Sequence, residues 1–223
     1  GGGGGWFLDI GKNREAIQDF DVWLDVFEGQ EHRIKRVAAS QAVNRFVSPI
    51  LLREMYRGGK RQFDVLSMAH YVGVDMRHYN ANTTADKILD DLFESLESKV
   101  DPTITKFLPG SPFEVIAPAG DWLWHRQMAD EHGVPLIAYE AGQGLTSDNN
   151  RSVPWYDAYV EAVRSPRMYE FYTAFFETMF KKVRADGLNI FSSVSEINQW
   201  GAWGHLEYQD QPLAEAHRYR AVI

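Results

Sequence analysis

Glu140 closes an apolar stretch, 134–140 (VPLIAYE), and Ala141, Gly142, Gln143 and Gly144 follow it. A carboxylate at the end of a strand sits on a rigid element, partly desolvated and directed into the space beyond. An attacking group needs that placement, because it must come within about 3–3.5 Å of an electrophilic centre such as an anomeric carbon. The small residues after it would leave room for a sugar ring. The same position suits a structural carboxylate that pairs with an arginine or caps a helix. A second apolar stretch, 64–71 (DVLSMAHY), ends in His70 and Tyr71. The phenol could donate to Glu140 and keep it ionised, and the imidazole could bond a substrate hydroxyl. A histidine there could equally be a core residue. Trp200 and Trp203 follow a fourth stretch, 188–195 (LNIFSSVS), with Gly201 and Gly204 beside them. Indole faces stack on the C–H faces of pyranose rings, and those glycines would let the indoles lie open; packing over the rim is the alternative. Gln41 ends the first stretch, 34–41, and Glu196 is a further carboxylate, or half of a loop ion pair.

Helices must separate these stretches. Residues 13–28 carry Ile17, Phe20, Leu24 and Phe27 on one stripe, with Asn13 to cap and Gly29 to stop. A helix over 49–57 has Ser48 as cap, Pro49 in its first turn and Gly58-Gly59 after its end. Further helices are expected over 84–99, 120–132, 155–163, from Pro166 to about Val183, and near 212–221. Trp122 and Trp124 in the second of these read as core residues. The connection 101–118 carries prolines. Strands alternating with helices predict a parallel sheet with right-handed crossovers. Loops after the strands, 72–83, 141–154 and 196–209, are long and rich in His, Asn, Gln, Trp and Tyr, whereas those leading in are short. In parallel α/β architectures the ligand face lies at the carboxyl ends of the strands, where Glu140, Tyr71 and the tryptophans fall.

Composition removes several alternatives. At 223 residues and 44% hydrophobic the chain can bury a sizeable core. A formal charge of −8 argues against nucleic acid and against an anionic membrane surface. There is no cysteine, which excludes disulfides and thiolate metal sites. No apolar run reaches the roughly 20 residues of a membrane span. The histidines are scattered without His-Glu-x-x-His spacing, so no metal is expected, and dinucleotide, phosphate-loop and Gly-x-Ser-x-Gly signatures are missing, so no cofactor is expected either. Residues 1–12 open on five glycines and read as a linker, a tag or an unassigned start.

The stretches Arg36-Val-Ala-Ala-Ser-Gln-Ala-Val-Asn44, Phe63-Asp-Val-Leu-Ser-Met-Ala-His-Tyr71 and Ile137-Ala-Tyr-Glu-Ala-Gly-Gln143 together resemble the later strands of cellulase-like, clan-A glycoside hydrolases. That resemblance implies a TIM-type (β/α)8 barrel acting with retention, of which 13–223 would be a partial domain carrying strands five to eight: 34–41, 64–71, 134–140 and 188–195. It implies Glu140 as catalytic nucleophile, with Gln41, His70, Tyr71, Gln143, Trp200 and Trp203 binding a polysaccharide or oligosaccharide. The chain departs from the pattern in reading Ala-Gly-Gln-Gly after Glu140, where the family usually has Gly-Gly-Gln-His, and in having no Asn-Glu pair for the acid/base. The expectation is therefore a fragment lacking the acid/base strand, completed by a missing N-terminal half or by a second copy, and secreted or periplasmic. The alternatives are a non-catalytic carbohydrate-binding barrel and an unrelated α/β protein in which Glu140 is structural.

Overall fold

The computed structural model describes residues 10–42, 47–101 and 121–223; the proline-bearing connection, most of the 1–12 start, and Asn44 of the resemblance lie outside them. Four strands run parallel in the spatial order β1 (Val37–Ala39), β2 (Val65–Val72), β3 (Leu136–Gln143) and β4 (Gly187–Leu188). The helices are α1 (Ile10–Val26), α2 (Val47–Glu54), α3 (Ala85–Ser98), α4 (Asp121–His132), α5 (Tyr156–Arg164), α6 (Arg167–Glu177) and α7 (His217–Arg220). The chain is thus a mixed α/β protein with a parallel four-stranded sheet and flanking helices. Among the described residues no helix is long and apolar enough to cross a membrane.

One face of the sheet is sealed by helices. Along β2, Leu66, Met68, His70 and Val72 are all fully buried, while Tyr71 on the other face is only half-buried. From β3, Leu136 and Ala138 join the sealed face, packing with Trp122 of α4 and with Phe171 and Phe175 of α6. Burying apolar area of this kind is the main drive for folding, worth roughly 25 cal/mol per Å². α3 starts where its cap is built, Thr84 accepting a hydrogen bond from the Lys87 amide, and it buries Ile88, Leu89, Leu92 and Leu96.

The β2–β3 ladder contains one irregularity that matters for the site. Met68 pairs with Ala138, but Ala69 pairs with Glu140, so Tyr139 is an extra residue in β3. A bulge of this kind shifts the side-chain alternation by one beyond it. Glu140 therefore leaves the helix-covered face that Ala138 occupies and joins the face of Ala69 and Tyr71.

Three expectations need correction. The stretch 188–195 forms only a two-residue strand, although Asn189 and Phe191 still donate to β3 at Ala138 and Ala141. Beyond that, Ser192, Ser193 and Ser195 exchange backbone hydrogen bonds with Trp203, His205 and Leu206, so the backbone pairs with its own returning loop. α2 begins at Val47, and Ser48 does not cap it: its buried hydroxyl bonds Ser40 at 2.6 Å. The last helix spans only His217–Arg220, while residues 212–216 form turns.

Candidate functional site

Tyr71 donates its hydroxyl to Glu140 Oε2 at 3.0 Å, joining the ends of β2 and β3 on the face opposite the one packed by α4 and α6. Burial, and then the bond to Glu140, raise the Tyr71 hydroxyl pKa well above its ordinary value, so it stays a donor. The Tyr71 ring meets Trp203 edge-on, with centroids 5.3 Å apart, and Phe191 contacts the same indole at 6.1 Å. Glu140 Oε1 accepts no hydrogen bond among the described residues, so one carboxylate oxygen is anchored and the other is open.

Tyr71, Trp203 and Gly144 form one end of a cleft of about 700 Å³ that continues to Asp75 and His78 after β2 and to Asp91, Glu94 and Lys99 at α3. That volume falls in the range of ordinary ligand sites. Burial raises the pKa of Asp91, but hydrogen bonds from Lys87 and Tyr79 outweigh it and the net shift is downward. Asp91 therefore enters the cleft wall as a paired carboxylate.

The other expected site residues fall elsewhere. His70 is fully buried on the sealed face, ring edge against Trp122 at 5.2 Å and His125 at 5.5 Å, because neighbours on a strand point to opposite sides. Burial, then His125, push its pKa down to about 3, so it is a neutral core residue and does not share a face with Tyr71. Gln143 is also buried: its Nε2 donates to Ala202 O at 2.6 Å and its Oε1 accepts from the Leu145 amide at 2.7 Å. With both ends of its amide engaged by backbone and its side chain buried, Gln143 shapes the loops. Gln41 lies two residues past β1, half-buried; continuing the Ala39–Ser67 register sets it level with Ala69 on the site's face. Trp200 is 60% exposed and Trp203 half-buried, so the two indoles are not one platform. Gly201 does not open the indole either: a Cβ there would lie 2.2 Å from the Trp203 ring, so glycine lets the backbone press against it. Glu196 is exposed on the loop.

One expected role changes and one feature is new. Gly142, at φ +136° with a hypothetical Cβ 3.1 Å from the Tyr172 hydroxyl, serves the backbone path of β3 and its packing, where room for a sugar had been expected. Arg218 in α7 is only 4% exposed and donates to Ala202 O at 2.6 Å. A lone arginine in a basic run (His217, Arg218, Arg220) gives no signal of burial. Among the described residues no group of three or more His, Asp or Glu is arranged to hold a metal.

Compared with family models, with curated proteins and with solved structures, the chain finds no match.

Proposed function

We propose that the chain carries the nucleophile's share of a retaining β-glycosidase site, in the later strands of a (β/α)8 barrel, with Glu140 as the attacking carboxylate. The observation that carries this reading is the Tyr71–Glu140 hydrogen bond across the ends of β2 and β3, with Trp203 edge-on to Tyr71. The strand order and the parallel register agree with strands five to eight of such a barrel.

In the proposed step Glu140 Oε1 attacks the anomeric carbon while the glycosidic C–O bond breaks and its electron pair leaves with the departing oxygen. Tyr71 donates to Oε2 and so fixes where the carboxylate points. A natural alkoxide leaving group needs a proton from a second carboxyl about 5–5.5 Å away. Among the described residues Glu140 hydrogen-bonds only Tyr71, and the reading assigns that proton to a group outside this set. An aryloxide needs no such proton, which makes the test decisive for this half of the site. The chain is incubated with 2,4-dinitrophenyl 2-deoxy-2-fluoro-β-cellobioside and digested for mass spectrometry. A glycosyl adduct on the peptide containing Glu140, absent in Glu140→Gln, supports the reading. Cello-oligosaccharide binding without any adduct favours the non-catalytic carbohydrate-binding alternative, and neither signal leaves Glu140 structural.

A further inference from the structure

The carbonyl of Ala202 receives two side-chain donors, Gln143 Nε2 and Arg218 Nη1, each at 2.6 Å, which fills both of its lone pairs. The two come from distant parts of the chain, the end of β3 and α7, and all three residues are buried. Arg218 forms no ion pair among the described residues: Glu207, whose charge it feels, is gripped bidentately by Arg164 at 2.9 and 2.7 Å. A buried guanidinium without a carboxylate is costly, and here its directed hydrogen bond goes to the backbone between Gly201 and Trp203. Gly201 presses on the Trp203 indole, and that indole meets Tyr71, which holds Glu140. We propose that Arg218 is a positioning residue for Trp203: clamped jointly with Gln143, Ala202 O fixes the backbone that sets the indole against Tyr71. The contact with the Tyr71–Trp203 pair stands on geometry alone; its consequence for ligand binding rests on the glycan reading.

The test uses the full chain with Arg218→Met, which keeps much of the volume and removes the donors, and Arg218→Lys, which keeps the charge and a single donating group. Trp203→Phe gives the reference spectrum, so that the near-UV circular dichroism difference isolates Trp203 from the other tryptophans. Arg218→Met should lose most of the Trp203 difference signal with an unchanged far-UV spectrum, and Arg218→Lys should retain about half of it. A full Trp203 signal in either variant overturns the proposal, and Arg218→Lys decides the matter alone if Arg218→Met fails to fold. Cellotetraose titration then adds the binding arm. Arg218→Met and Trp203→Phe should each weaken binding roughly tenfold, and the double variant should be no worse than either single one. Additive losses overturn the coupling. No binding by the unmodified chain overturns the glycan reading only, since the spectral result does not depend on it.

Discussion

The two ends of the parallel sheet treat charge differently. Where the strands begin, charges meet opposite charges. Asp64 receives Arg36 through two guanidinium bonds and a backbone amide at 2.8–2.9 Å. Asp186 accepts from Arg126 and from the Leu136 amide, while Asp130 takes both Arg126 and Arg184. Where the strands finish, ion pairs such as Asp75–Arg77 and Asp91–Lys87 also occur, but two charges meet neutral dipoles: Glu140 is held by a phenol and Arg218 by a carbonyl. Satisfied ion pairs lock the strand starts together but leave nothing to act on a ligand. Glu140, held by one neutral donor, keeps an oxygen that accepts no hydrogen bond among the described residues. The first rim serves stability, and the second has the unspent capacity expected of a site.

Substitutions can break this contrast, and the largest effect is expected at the second rim. Glu140→Gln should abolish covalent labelling while urea denaturation shifts by no more than about 0.5 kcal/mol. At the first rim the pattern should invert. Asp64→Ala or Asp186→Ala should cost about 2 kcal/mol in urea unfolding, because each strips partners from an arginine and a backbone amide, with the labelling rate of folded protein unchanged. Loss of labelling in either variant would dissolve the distinction between the rims. Tyr71→Phe should slow labelling about tenfold, the equivalent of roughly 1.4 kcal/mol in the barrier, with a smaller effect on melting.

The pH dependence of stability sharpens the comparison further. Hydrogen bonds from Arg36 depress the pKa of Asp64, so its contribution is present above the unfolded value near 3.8 and is lost as pH falls below it. His70 is neutral in the fold down to about 3, but in the unfolded chain it takes up a proton near 6.5. Stability should therefore already decline as pH falls from 6.5, before Asp64 titrates, and His70→Met should flatten that upper part of the slope in melts at pH 6.5 and 4.5. The smallest effect belongs to Trp200→Ala: with the side chain 60% exposed, melting should move by no more than about 0.5 kcal/mol.

What the sequence conveys depends on how local the signal is. The apolar stripe of Ile88, Leu92 and Leu96 is written within a few residues, and the helix expected over 84–99 forms over Ala85–Ser98. The Tyr71–Glu140 pairing was also legible, from two polar groups each ending an apolar stretch. His70 was not, because β2 is apolar on both faces and offers no alternation to say which of two adjacent polar residues turns inward. The stretch 188–195 looks like a strand to its end, yet its later amides are taken by 203–206, a choice made by loop contacts far along the chain. Gln143 and Arg218 look like polar surface residues until Ala202 is brought between them.

Tyr139 itself carries no assigned chemistry, and β3 absorbs it as a bulge that keeps Glu140 level with Ala69. Deleting that one residue would put Glu140 directly after Ala138, where ordinary alternation still turns it away from Trp122 and the α6 aromatics and leaves it opposite Ala69. A single-codon deletion there should thus spare the carboxylate's orientation and only straighten the ladder. In β3 the pairing with its neighbour, rather than the residue count, decides which way the acid faces.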